Sequence, residues 1–255
     1  TTGSNNVASG ESALESNTTA SNNTATGYHA LKLNTTGHSN VAIGKDAFAS
    51  NTTGQRGVAI GTDALQANTT ANYGVAIGFE ALAANTTGAN NIAIGKSTLQ
   101  ANITGANNTA IGFESMVANT TGYSNSAIGA NSLDANTTGG ANVALGYGAL
   151  SANTTASNNT AIGVNAMEAN TTGHSNVVVG QGAMDVSTTA SRSTVVGFNA
   201  GDAMTTGGDN AIFGYEAGGS MTTAIENTYI GYYAGNLNTT TNYNTGVGSG
   251  ALQRH

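Results

Sequence analysis

Side chains able to do chemistry are few in this 255-residue chain, and their spacing keeps them apart. The histidines are His29, His38, His174 and His255, and there is no cysteine. His38 and His174 are separated by eight copies of a 17-residue repeat, so at the height of a stacked strand they stand nearly 40 Å apart and cannot share one site. No His or Cys group has metal-ligand spacing, and the calcium-binding nonapeptide of β-roll toxins is absent. The acidic residues Asp46, Asp63 and Glu80 recur at intervals of seventeen and form the one candidate metal column, where stacked carboxylates would repel one another and attract a cation such as Ca²⁺. Lys45 beside the first of them favours the plainer reading of a solvated face. Glu168, Asp185 and Asp202 make a second such run. With no converging nucleophile, base or ligand set, the chain reads as a non-enzyme without cofactors.

What positions these residues is the repeat itself. The chain divides without remainder into fifteen 17-residue units with the consensus T-T-G-x-x-N-V-A-I-G-x-x-A-L-x-A-N, numbered here as positions 1 to 17. Position 10 is Gly every time, from Gly10 to Gly248. Strict periodicity of this kind is the mark of stacked rungs, each burying its apolar side only against its neighbours. It predicts an all-β parallel β-solenoid of fifteen rungs over residues 1–255, regular through 187 and drifting, with more aromatics, over 188–255. Proline is absent, as suits a backbone whose N–H groups are needed in ladders.

Within a rung, V-A-I alternates as a half-buried strand does. The Ile at position 9 is the expected core residue and the Ala at position 8 is expected to face outward, where a second copy would pack against it. A-L-x-A is expected to supply a Leu column opposite, either as a second strand or as a helical turn. Thr at position 2 and Asn at position 6 are expected to form vertical ladders that cap turns. The Gly at position 10 and the small residue at position 3 fall where the path bends. A single solenoid with such thin apolar columns buries little, so a threefold bundle is expected, with a lone solenoid as the alternative.

Charge sets further bounds. Six basic residues against thirteen acidic ones give a net charge of −7 and no polybasic surface, which argues against nucleic acid or anionic lipid as partners. Neither a signal peptide nor a membrane span is legible. The paired threonines raise an ice-binding face as a further possibility, although adjacent residues point to opposite sides and T-T presents one column where two are wanted. Asn-Thr-Thr at most junctions makes a column of glycosylation sequons, such as Asn51, Asn68 and Asn85, that would carry sugars along one edge in a glycosylating host, with an Asn ladder at a turn as the plainer reading. Bulk shifts near the end of the chain, where Phe213, Tyr215, Tyr229, Tyr232 and Tyr233 form a candidate binding patch for carbohydrate or protein.

Asn40-Val41-Ala42-Ile43-Gly44, Asn91-Ile92-Ala93-Ile94-Gly95 and Asn176-Val177-Val178-Val179-Gly180 resemble the head repeat of YadA-like trimeric autotransporter adhesins. The resemblance covers all fifteen rungs and thins after Gly197. It implies a left-handed β-roll wound as a homotrimer, displayed outside the cell and binding host surface protein or glycan. Similar repeats occur in phage tail fibres and extracellular filaments, so a viral tail-fibre shaft, located in the virion, is the alternative. The uniform 17-residue length, with its T-T-G, departs from shorter typical heads and implies an extra corner per rung. Neither a heptad stalk nor a membrane anchor lies within these residues.

Overall fold

A computed structural model of the chain describes residues 2–253. The chain is an all-β parallel β-solenoid in two compact units, Thr1–Asn125 and Ser126–His255. The first contains strands β1 (Val7–Ser9), β2 (Thr24–Thr26), β3 (Val41–Ile43), β4 (Val58–Ile60), β5 (Val75–Ile77), β6 (Ile92–Ile94) and β7 (Thr109–Ile111). The second contains β8 (Ser126–Ile128), β9 (Val143–Leu145), β10 (Thr160–Ile162), β11 (Val177–Val179), β12 (Thr194–Val196), β13 (Ala211–Phe213), β14 (Thr228–Ile230) and β15 (Thr245–Val247). Within each unit, consecutive strands pair in parallel with an offset of one repeat, as in Val41↔Val58, Ala42↔Ala59 and Ile43↔Ile60. The same register holds for Thr160↔Val177, Ala161↔Val178 and Ile162↔Val179.

Each strand is short because the backbone turns on both sides of it. Position 5 is left-handed, as at Arg56 (φ 56°) and Asn90 (φ 60°). Position 10 adopts a φ near 135°, as at Gly44 (135°) and Gly95 (136°), a region open only to glycine. A Cβ on Gly95 would also lie 2.3 Å from the carbonyl oxygen of Gly112 in the next rung. Torsion and rung spacing therefore both demand glycine there.

The second apolar stretch is neither strand nor helix. Positions 12 and 14 are left-handed, as at Asp63 (φ 58°) and Leu65 (φ 51°). This alternation aims backbone N–H groups at the next rung, so Leu65 N donates to Ala81 O at 3.0 Å and Ala67 N to Ala83 O at 2.9 Å. A left-handed leucine costs about 1–2 kcal/mol. Leu65, Leu82 and Leu99 are at most 1% exposed, and full burial returns about 1.5–3 kcal/mol for each, so the packing outweighs the strain.

The strand faces the opposite way from the sequence expectation. Ala42, Ala59, Ala76 and Ala93 at position 8 are fully buried, whereas Ile43 and Ile60 at position 9 are 41% and 36% exposed. Volume explains the reversal. The interior already holds the Leu column, the Ala at position 13 and two columns of buried Asn, leaving room beneath the strand for little more than a methyl group. Where position 14 shrinks to Gly201, Gly218 and Gly235, position 8 grows to Val195, Ile212 and Tyr229, all fully buried.

The Asn columns meet the expectation. Asn68 Nδ2 donates to Asn51 Oδ1 at 3.0 Å, Asn85 Nδ2 to Asn68 Oδ1 at 3.1 Å, and Asn102 Nδ2 to Asn85 Oδ1 at 2.8 Å. At position 6, Asn40 Oδ1 accepts from Gly57 N at 2.8 Å, and Asn40 Nδ2 donates to Gly54 O at 2.9 Å. Amide ladders of this kind satisfy the polar interior that the thin apolar core leaves. The position-17 ladder stops where Ser187 replaces Asn, leaving Asn170 Oδ1 and Ser187 Oγ buried without a hydrogen bond.

Candidate functional site

Because the strand's middle residue points inward, positions 7 and 9 point outward as two parallel ranks. In the first unit the outer rank runs through Ile43, Ile60, Ile77 and Ile94, each 36–41% exposed. In the second it runs through Ile128, Ile162, Phe213 and Ile230, 37–42% exposed. Beyond the position-10 glycine, position 11 adds exposed rings, including Phe79 and Phe113 in the first unit and Tyr147, Phe198, Tyr215 and Tyr232 in the second. This apolar outer face, rather than an Ala face, is what each unit offers for contact.

The sequence-derived metal column is brought into line but not to one point. Asp46 Oδ1 lies 3.0 Å from His29 Nδ1, and its Oδ2 lies 3.5 Å from Lys45 Nζ. Asp63 Oδ1 accepts from Gln66 Nε2 at 3.0 Å, and Glu80 Oε2 from Gln100 Nε2 at 2.5 Å. Each carboxylate thus holds its own local partner. Among the described residues no three His, Asp or Glu side chains converge as a metal site. His255 lies outside the described residues.

The second acidic run behaves differently. Burial raises the Asp202 carboxyl above the usual range; the Ala203 N–H, 3.0 Å away, pulls it down, and the charges of Asp185 and Glu216 push it up. Burial likewise raises Asp185. Glu216 was not singled out in the sequence, yet its carboxylate lies close enough to Tyr215 and Tyr233 to raise both phenols. Partial burial, followed by that carboxylate, pushes the Tyr233 phenol up to about 12.

The residues of the candidate aromatic patch do not all lie on one surface. Phe198, Tyr215 and Tyr232 stack along one column, with centroids 5.3 and 5.4 Å apart and planes within 17° of parallel. Tyr233 meets Tyr232 edge-on at 4.4 Å. Phe213 is exposed on the strand face. Tyr229 is no part of a binding surface: its ring fills the space over Gly235, where an added Cβ would lie 2.5 Å from the ring, and its hydroxyl accepts from Asn238 Nδ2 at 2.7 Å. The signal that separates these residues is phase within the repeat, since Tyr229 belongs to position 8 and Tyr215 and Tyr232 to position 11.

Two further expectations change. The Asn-Thr-Thr asparagines Asn51, Asn68 and Asn136, and Asn102 of the variant Asn102-Ile103-Thr104, are fully buried and Asn85 is 1% exposed, so the folded rungs offer no sugar-bearing edge at these residues. The paired threonines divide their work. At position 1 the hydroxyl bonds to the next rung, as in Thr52 Oγ1 to Thr69 O at 3.0 Å. Position 2 faces solvent, at Thr36, Thr53, Thr70 and onward. No protein-family model, curated protein or solved structure matches the chain. No helix among the described residues is long and apolar enough to cross a membrane.

Proposed function

We propose that this chain is a non-catalytic structural and adhesive fibre module that assembles with copies of itself, most simply as a homotrimer, in an extracellular or surface-displayed setting. The observation that carries the reading is the outward rank of Ile43, Ile60, Ile77 and Ile94 in the first unit, with Ile128, Ile162 and Ile230 exposed at the same repeat position in the second. Covering the exposed two-fifths of an isoleucine is worth roughly 1 kcal/mol by area. Several such contributions along the rank of each unit work against an association cost of about 4–15 kcal/mol. Display outside the cell rests on the YadA-like repeat alone, and a tail-fibre shaft would use the same face in a virion. Light scattering on the purified chain tests the assembly. A mass of about three chains, reduced to one by Ile77→Lys with Ile94→Lys while the circular dichroism is unchanged, is the expected result. A monomeric parent chain would refute it.

One observation favours a second reading. Two outward ranks separated by an inward residue are the arrangement that T-T lacked for ordering water into ice. A monomer that depresses the freezing point below its melting point would replace assembly by ice binding.

A further inference from the structure

The aromatic column of the second unit has a geometry that a mere packing role does not require. Its rings are nearly parallel, with centroids 5.3 and 5.4 Å apart, whereas the contact thickness of stacked carbon faces is about 3.5–4.0 Å. Rings at that separation overlap as offset shingles, and each leaves part of its face open. Tyr215 and Tyr232 are accordingly 42% and 55% exposed. Tyr233 stands edge-on to both, and Glu216, which follows Tyr215 in the chain, lies near enough to raise the Tyr215 and Tyr233 phenols, so a carboxylate sits at the side of the platform.

The charge around it has one sign. Residues 126–255 hold seven acidic side chains against Arg192 and Arg254. Arg192 is committed to Asp209 through two contacts of 2.7 Å. Asp202 feels the charges of both Asp185 and Glu216, so the field beside the platform is negative and the nearby carboxylates have no basic partner among the described residues. A neutral sugar would use the ring faces but gain nothing from this field. A guanidinium uses both, since it stacks on an aromatic face and pairs with a carboxylate beside it.

We propose that Phe198, Tyr215, Tyr232, Tyr233 and Glu216 form a docking site for an arginine-bearing segment of a partner protein, with the side-chain guanidinium lying on a tyrosine face and directed to Glu216. The site uses the position-11 rings beside the position-9 rank proposed for assembly, and its test reads peptide binding rather than oligomeric state.

The full chain is titrated by calorimetry with a short glycine–arginine peptide, with the same peptide carrying citrulline for arginine, and with a neutral β-linked glucose oligosaccharide. Saturable binding of the arginine peptide is expected, weakened at least tenfold by citrulline, by Tyr232→Ala and by Glu216→Gln, and retained by Tyr232→Phe. These side chains are at or near the surface, and unchanged melting curves would show that the variants fold. No saturable binding at millimolar peptide would overturn the proposal. So would equal binding by Tyr232→Ala and Glu216→Gln, which would mean diffuse attraction to the net negative charge. Preference for the oligosaccharide over the peptide would overturn it in favour of a glycan site.

Discussion

Replacing Asn85 with alanine puts the amide ladder to a quantitative test. Asn85 Nδ2 donates to Asn68 Oδ1 and to Gly88 O, each at 3.1 Å, and its Oδ1 accepts from Asn102 Nδ2 at 2.8 Å. The three losses are unequal. Gly88 O keeps its bond from Asn91 Nδ2, and Asn102 Nδ2 keeps its bond to Gly105 O. Asn68 Oδ1 belongs to a fully buried residue and loses its one donor. A buried acceptor left unpaired costs about 1–3 kcal/mol, and each of the other two bonds is worth about 0.5–1.5 kcal/mol, which puts the total near 4 kcal/mol. For a chain of this size that corresponds to a drop of roughly 8–16 °C in Tm if unfolding is cooperative. Urea titration followed by circular dichroism gives the free energy, and the double variant with Asn68→Ala isolates the ladder. Once Asn68 is absent its oxygen cannot be orphaned, so Asn85→Ala should cost about 1–2 kcal/mol less in that background. A single-variant loss below about 0.5 kcal/mol, or strict additivity of the pair, would refute the view that the Asn column holds the rungs together through its side chains.

Two more outcomes follow from the geometry. Gly95→Ala forces an alanine to φ 136° and sets its Cβ 2.3 Å from Gly112 O, so it should lower the urea midpoint severely. Gly74→Ala, whose Cβ would lie 3.4 Å from Leu65 Cδ1 at an ordinary φ, should change stability by less than about 1 kcal/mol; equal losses would refute the torsional account. Asp202 has a folded-state pKa raised chiefly by burial, so its contribution is fully present below the unfolded value and is lost as pH rises through the folded one. Asp202→Asn should therefore stabilise the chain at neutral pH and give no such gain near pH 3, and an equal difference at both pH values would sink the argument.

The columns were legible in the sequence, but their facing was not. Gly at position 10 and Asn at positions 6 and 17 announce themselves by identity at a fixed interval, and the structure uses them as ladders and turns. V-A-I was legible as a strand because its β-branched residues alternate. Alternation defines two faces without saying which is inside, and hydrophobicity alone would place Ile43 in the core. Space decides instead, because Leu31, Phe48 and the buried amides leave room for Ala42 and not for isoleucine. The left-handed Leu65 and Leu82 escaped notice for a different reason: leucine carries no propensity for that conformation, and only the stacked neighbours hold it there. Tyr229 was grouped with the surface rings because it is near them in the chain, whereas its place in the repeat puts it with Val178, Val195 and Ile212 in the column that grows as the facing one empties.

That exchange of bulk bears on how such a chain can lengthen or shorten. Among near-identical rungs, unequal recombination that duplicates or deletes seventeen residues returns every Ala, Leu and Asn to an equivalent neighbour, so length there can vary with little penalty. Toward residue 250 the rungs are no longer interchangeable. An added Cβ on Gly218 would lie 3.1 Å from Ile212 Cδ1, and one on Gly235 or Gly246 would lie 2.5 or 3.2 Å from the Tyr229 ring. A rung carrying the ordinary Leu cannot be exchanged into that series without a clash. Variation in repeat number among natural versions of this chain should accordingly fall in the regular rungs, with the aromatic series inherited as a block.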